Sequence, residues 1–219
     1  MTVRAFLLDL FFPTKCVFCR ALLTRDKWED GICGKCMESL PFTPSPRGAK
    51  RGEFFDFCVS PLYYRDKVRD AIHRFKFYGS SSYGEVFGRL VAEAVKAEPE
   101  AVFDVVTWAP VSAGRLRKRG YDQARLIAES AAGLLDKPCL PLLRKIRNAP
   151  PQSRLDGGEK RRANVSGAYI CLPDAEIAGK SILLIDDVIT TGSTLSECSR
   201  MLLMSGAERV ICAALARTE

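Results

Sequence analysis

The sequence predicts an α/β fold: a mainly parallel, twisted sheet flanked by helices, preceded by a small cysteine-rich N-terminal lobe. Three observations predict it. Downstream of residue 45, short β-branched and aromatic runs alternate with segments whose apolar residues fall at helical spacing, the pattern of βα repeats around a parallel sheet. One of those runs, Ile182–Ile185, leads straight into Asp186 and Asp187 and then into a loop of hydroxyls and glycine, Thr190–Thr194. Ligands of open α/β sheets collect at such strand ends. Upstream of residue 45 lie two C-x-x-C pairs in a stretch too short to bury much core.

In chain order, Ala5–Phe12 is apolar apart from Asp9. It is too short to span a bilayer and lacks a signal-peptide cleavage pattern, so a short buried helix or strand is expected. Cys16-x-x-Cys19 and Cys33-x-x-Cys36 follow, thirteen residues apart. Four thiolates on two tight turns suit a closed tetrahedral Zn²⁺ site, with Zn–S bonds of about 2.3 Å. A redox pair is the weaker alternative, because that motif normally follows a βαβ strand. Pro41–Gly52, with three prolines, two glycines and three basic residues, reads as a linker. The expected division is therefore 1–45 for the zinc lobe and 46–219 for the α/β domain.

Beyond the linker, Phe55–Tyr64 reads as strand. Val68, Ala71, Ile72 and Phe75 mark a helix, as do Val86, Phe87, Leu90, Val91 and Ala94. Phe103–Trp108 is a strand ending at Pro110, and Ala124, Ile127, Ala128, Ala131 and Leu135 mark another helix. From Pro138 to Tyr169 periodicity fails, and so long a polar stretch inside a compact domain suggests a functional lid. Ser181–Ile185 is a strand, Leu195, Cys198 and Leu202 mark a helix stopping near Gly206, and Val210–Leu215 is a last strand.

The 219 residues are 47% hydrophobic, enough for a real core, and carry a formal charge of +7, which favours polyanionic partners. Nine cysteines, an odd number with four in two pairs, suit a reducing cytoplasm and one metal site better than a disulfide framework. No membrane insertion is expected. The single histidine, His73, offers no Ser-His-Asp arrangement.

The loop after Ile185 carries the chemistry. A helix begins near Thr190–Thr194, and its first N–H groups and positive dipole end suit a phosphate monoester. Asp186 and Asp187 would repel phosphate, so they should face sugar hydroxyls or a hydrated Mg²⁺. Gly179-Lys180-Ser181 resembles a Walker A tail but precedes its strand and lacks the upstream glycine. A receiver-type acidic pocket leaves the hydroxyls unexplained, and a simply capped helix needs only one of them. Three basic clusters, Arg115–Arg119, Arg144–Arg147 and Lys160–Arg162, flank expected loops. Arginine forks there would stabilise charge on a departing phosphate. With Phe75, Phe77, Tyr78 and Tyr121 nearby, they also fit a single nucleic-acid strand bound by backbone charge and stacking.

Ile182–Thr194 resembles the 5-phosphoribosyl-1-pyrophosphate (PRPP) signature of type I phosphoribosyltransferases. With the cysteine pairs, Lys76-Phe-Tyr-Gly79, Arg115-x-x-x-Arg119-Gly-Tyr-Asp-Gln-Ala124, and Arg147…Gln152…Leu155…Arg162-x-Asn164-Val-x-Gly-Ala-Tyr169, the chain is similar from Cys16 to about Arg217 to the ComF family. That family is related to a competence protein for DNA uptake. The resemblance implies a type I phosphoribosyltransferase-like fold and an N-terminal zinc ribbon. It implies Mg²⁺–PRPP as ligand and displacement of pyrophosphate by a nitrogen nucleophile. Asp186 and Asp187 would hold the ribose diol, and Thr190, Thr191, Gly192, Ser193 and Thr194 the 5-phosphate. Pro110–Ala113, with Val111 and Ser112, would match the pyrophosphate loop. Arg147–Asn164, with Gln152, Arg162 and Asn164, would match the hood that closes the site. Lys76, Arg115 and Arg119 are further pyrophosphate candidates. The chain departs from the pattern at Ala109-Pro110-Val111-Ser112 and at Ala149-Pro150-Pro151. Two other readings remain open: a non-catalytic competence or recombination factor that binds single-stranded DNA, and a PRPP-sensing regulator. The acceptor is not legible.

Overall fold

The computed structural model describes residues 14–23, 31–48, 53–146 and 167–219. The expected short element at Ala5–Phe12, and Arg147, Gln152, Lys160, Arg161, Arg162 and Asn164, lie outside the described residues.

The sheet is parallel throughout. Its strands are β1 (Cys58–Val59), β2 (Leu62–Tyr63), β3 (Val105–Trp108), β6 (Ser181–Ile189) and β7 (Arg209–Arg217). Across the sheet, β1 and β2 share one edge and are followed by β7, β6 and β3. The central strands are apolar because both of their faces are covered. Leu183, Ile185, Ile211, Ala213 and Leu215 enter one core, and Ile182, Leu184, Val210, Cys212 and Ala214 the other. Ile182–Ile185 are fully buried, each side chain contributing roughly 1.5–3 kcal/mol of transfer free energy.

The first face is covered by α2 (Asp66–Phe77), α3 (Tyr83–Lys96) and α5 (Gln123–Leu135). Their buried residues include those whose spacing predicted helix, except Leu135, which is only partly buried. Helices α3 and α5 approach closely because Gly84 and Gly88 carry no side chain. A Cβ on Gly88 would stand 2.5 Å from the Ser130 side chain. The second face is covered by α6 (Ser193–Met204) and by the antiparallel pair β4 (Leu143–Lys145) and β5 (Tyr169–Cys171). The cysteine lobe, with helix α1 (Gly34–Ser39), shares the first core. Phe18 stacks on Phe87 at 5.9 Å, and Arg74 of α2 donates to the carbonyls of Val17 and Phe18 at 2.9 and 2.7 Å.

Several expectations are corrected. Phe55–Tyr64 is not one strand. It splits around Ser60–Pro61 into β1 and β2, since proline has no N–H for the ladder. Part of the expected linker is pinned to the sheet edge, with Phe42 bridging Leu62 and Arg47 bridging Val59. Strand β6 continues through Ile189, so Asp186 and Asp187 stand on the strand, not in the loop. The first basic cluster lies on a helix, α4 (Ala113–Arg119), with no buried residue, so it shows no apolar period. Arg144 and Lys145 lie on β4 within the stretch where periodicity failed. Among the described residues, no helix is long and apolar enough to cross a membrane.

Candidate functional site

The carboxyl ends of β3 and β6 form the floor of the site. Ile185 and Trp108 are paired in register, so the Asp186–Asp187 step and the Ala109–Ser112 turn emerge side by side. The Ala109 amide donates to the Ile185 carbonyl at 2.9 Å. Asp122 fastens the turn from below: its carboxylate accepts from the Val111 amide at 2.9 Å and caps α5 through the Arg125 amide at 3.3 Å. Burial raises the pKa of Asp122 against these donors. The Ser112 hydroxyl is buried and has no partner among the described residues.

The two acids differ in setting. Asp187 Oδ1 receives Lys76 Nζ from the end of α2 at 2.8 Å. Asp186 Oδ1 receives the Asp187 amide at 2.8 Å. Burial first, and then the neighbouring Asp187 charge, push Asp186 up to about 7, with Lys76 opposing. Paired carboxylates held this way attract a diol or a hydrated cation. Arg119 packs over the Phe77 ring at 5.0 Å and donates to Gln123 at 2.6 Å. Its pKa is lowered by burial, with Asp187 opposing. Lys145, also lowered by burial and then by Arg115, lies in the field of Asp186. Arg115, Arg119 and Lys145 thus bring positive charge towards the acids.

Sign fixes a consequence for stability. A carboxyl whose folded pKa lies above its ordinary value makes folding less favourable as it ionises. For Asp186 that penalty is absent below about pH 4 and complete above about pH 7. Asp186→Asn keeps an oxygen for the Asp187 amide and removes the charge. It should therefore raise the ligand-free melting temperature at pH 8 and leave it nearly unchanged at pH 4, which scanning calorimetry at the two pH values would check.

The loop after β6 turns through Gly192, whose φ of 74° is left-handed, a conformation glycine adopts without steric cost. Helix α6 starts there with no side-chain cap from that residue, so an anion can take the capping role. Thr191 and Ser193 hydroxyls meet at 2.6 Å. Asp186 and Thr190–Thr194 line one small concavity. Among the described candidates, the structure gathers Asp186, Asp187, Lys76, Val111, Ser112, Arg115, Arg119 and Thr190–Thr194 around the same strand ends. Asp122, Lys145 and Tyr169 also stand there. Sequence reasoning named Lys145 only as part of a basic cluster, and Asp122 and Tyr169 only within the motif segments.

In the N-terminal lobe, the four sulfurs of Cys16, Cys19, Cys33 and Cys36 lie within 4.8 Å of one another, with Cys19 and Cys33 at 3.6 Å. Tetrahedral Zn–S bonds of about 2.3 Å put sulfurs about 3.8 Å apart, so the cluster fits zinc. Burial pushes the Cys16 thiol up, but backbone N–H groups of Cys19, Cys33 and Phe18 outweigh it and bring it down to about 7, while burial and the neighbouring sulfurs push Cys36 up, so the four act as one coupled set and the fit to a metal rests on their spacing.

The chain matches the phosphoribosyl transferase domain family over residues 123–219 and the double zinc ribbon domain family over residues 7–60. Competence protein F of Haemophilus influenzae is 28% identical over 232 residues, covering 94% of this chain and 98% of that protein. The DNA utilization protein YhgH of Escherichia coli K12 is 26% identical, covering 95% and 99%. Competence protein ComFC of Bacillus subtilis is 31% identical over 144 residues, covering 65% and 56%. Among solved structures, the glutamine PRPP amidotransferase from B. subtilis aligns with a TM-score of 0.41 at 23% identity, covering 60% of this chain and 26% of that one. The adenine phosphoribosyltransferase from Thermoanaerobacter pseudethanolicus aligns at 0.38 and 14% identity, covering 84% and 98%. At these scores the likeness adds nothing to the strand order described above. Two family matches in tandem, and relatives aligned over nearly their whole length, make the chain ComF-like: a phosphoribosyl transferase domain joined to an N-terminal double zinc ribbon.

Proposed function

We propose that this protein binds Mg²⁺–PRPP at the ends of β3 and β6 and, with an acceptor present, transfers the phosphoribosyl group. The observation that carries the reading is the juxtaposition on one strand end of two opposed chemistries. Asp186 and Asp187 suit a ribose diol or a hydrated cation, and the start of α6, with no side-chain cap from Gly192 and several hydroxyls, suits a phosphate. Few ligands need both within one residue run, and a sugar 5-phosphate does.

In this reading a nitrogen nucleophile forms a bond to C1 of the ribose as the C1–O bond breaks, and pyrophosphate leaves with the bonding pair. The chain supplies position and charge. Asp186 and Asp187 hold the ribose hydroxyls and the Mg²⁺ shell, Thr190–Thr194 hold the 5-phosphate, and the Val111–Ser112 turn receives pyrophosphate. Ser112, with a buried hydroxyl lacking a partner among the described residues, has a donor to offer there. Arg115 and Arg119 add positive charge, and Gln152, Arg162 and Asn164 belong to the hood. Asp186 and Asp187 would hold Mg²⁺ through its water shell, and the ion would supply positive charge to the leaving group. No covalent protein nucleophile is needed.

We keep the division at residues 45 and 46 as a working boundary, and place the reaction in the cytoplasm. The names of the relatives aligned over nearly their whole length support a partner set drawn from competence or DNA utilization. A pyrophosphate-release assay with PRPP against a panel of nucleobases and amines tests the enzyme. Acceptor-dependent release is expected. PRPP binding without release for any acceptor would leave a sensor or a DNA-handling factor instead.

A further inference from the structure

Residues 120–122 join α4 to α5. The chain reverses at Gly120, whose φ of 81° is left-handed, and Tyr121, Asp122 and Gln123 follow. The proposed reaction gives none of these three a role, yet each grips a different part of the molecule. Asp122 reaches the turn after β3. One carboxylate oxygen accepts from the Val111 amide at 2.9 Å and the other from the Arg125 amide at 3.3 Å. A single side chain, 8% exposed, therefore sets both the turn and the start of α5. Next to Val111 stands Ser112, whose buried hydroxyl has no partner among the described residues.

Gln123, fully buried, reaches back to α4. Its amide oxygen accepts from Arg119 at 2.6 Å, and its amide nitrogen donates to the Tyr121 carbonyl at 3.4 Å. A guanidinium can only donate and a carbonyl can only accept, so the amide has one orientation. Arg119 is held on a second side by the Phe77 ring, 5.0 Å away. Tyr121 bolts the segment to α2. Its hydroxyl donates to the Phe75 carbonyl at 2.5 Å, in the last helical turn, where carbonyls lack a helical partner. The consecutive residues Asp122 and Gln123 thus hold the Ser112 turn and Arg119 in one frame, and both Ser112 and Arg119 are pyrophosphate candidates. A carboxylate repels phosphate, and both oxygens of Asp122 are already bonded to amides, so Asp122 acts through the turn and not on a ligand.

We infer that Asp122 and Gln123 are positioning residues for the pyrophosphate end of PRPP, aligning Ser112 and Arg119 before the ligand arrives. The inference rests on the proposed Mg²⁺–PRPP site and names what aligns one half of it. Donors fixed in advance need no reorganisation when charge reaches them, and a small misplacement weakens a hydrogen bond steeply. The ribose and 5-phosphate are assigned to β6 and the loop after it, a different element, so the two halves of the ligand report separately.

PRPP and ribose 5-phosphate, each with Mg²⁺, are the probes, titrated calorimetrically into wild type, Asp122→Ser and Gln123→Met, with a melting temperature recorded for each protein. Serine caps a helix about as well as aspartate, but its shorter side chain cannot bridge both amides. Asp122→Ser therefore keeps the start of α5 and frees the turn. Wild type should bind PRPP more tightly than ribose 5-phosphate. Each variant should narrow that ratio about 10-fold, the scale of one hydrogen bond to a charged group, with ribose 5-phosphate affinity held within about twofold. Ribose 5-phosphate affinity that falls as far as PRPP affinity would mean general loosening and would overturn the positioning role, as would an unchanged ratio. If Asp122→Ser melts too early to titrate, Gln123→Met decides by the same ratio. Equal affinity of wild type for the two probes would overturn the inference while the sugar-phosphate site stands. Binding of neither probe would overturn the PRPP reading, and this inference with it.

Discussion

Asp187→Asn should reduce PRPP affinity by more than about 100-fold. A hydrogen bond to a charged group carries roughly 1.5–3 kcal/mol. An Asp187 that holds a ribose hydroxyl together with a hydrated Mg²⁺ or a second hydroxyl loses two such contacts at once, roughly 3–6 kcal/mol, and each 1.4 kcal/mol is about tenfold. Asparagine keeps the shape and presents a neutral oxygen, so the loss reports charge and not volume. The fold should survive. The ion pair with Lys76 is only partly withdrawn from water, at 23% and 14% side-chain exposure. Breaking it should cost roughly 1–2 kcal/mol, between the value for exposed pairs and that for fully buried ones. Calorimetric titration of PRPP with Mg²⁺ checks the binding, and a thermal melt checks the fold. Wild-type affinity in a folded Asp187→Asn protein would falsify the central assignment.

The same pair shows why the site was only partly legible. The acids and the hydroxyl loop are consecutive in sequence, so their chemistry could be read from one strand end. Lys76 lies 111 residues from Asp187, and nothing local says that the end of α2 reaches β6. Its assignment as a pyrophosphate candidate therefore came from motif resemblance, whereas the ligand-free geometry gives it to Asp187. Asp122 was hidden for a related reason. It reads as a helix cap, and only the tertiary contact with Val111 reveals that one carboxylate organises both α5 and the turn after β3. Tyr169 and Lys145 lie in three-residue strands, too short for an alternating pattern to stand out. The long buried strands and amphipathic helices were legible because covering both faces of a parallel sheet demands continuous apolar runs and 3.6-residue stripes. Helix α4 obeys neither rule, being short, basic and unburied, and so was read as loop.

Removing the metal should be felt beyond the lobe that holds it. Structural zinc sites in isolated peptides contribute about 10–16 kcal/mol of apparent binding free energy, and much of it is folding free energy. Here the lobe shares its core with the domain: Cys16, Val17, Phe18, Ile32 and Cys36 belong to the same core as Phe75 and Phe87. Cys36→Ser removes one of four sulfurs from a fully buried position. A loss of even 3–5 kcal/mol would lower the melting temperature by roughly 6–20 °C in a chain of this size. Cys139→Ser, at a half-buried thiol outside the cluster, should change it little. Wild type should carry one zinc per chain by elemental analysis, and Cys36→Ser less. Helix α2 extends the consequence to the site. Arg74 grips the carbonyls of Val17 and Phe18, and two residues later Lys76 grips Asp187. A lobe that loosens releases Arg74, and the last turn of α2 then no longer holds Lys76 against the acid. Chelation of the metal should therefore weaken PRPP binding as well as stability. Unchanged melting and unchanged PRPP affinity in zinc-free protein would show that the cluster is neither structural nor coupled to the site.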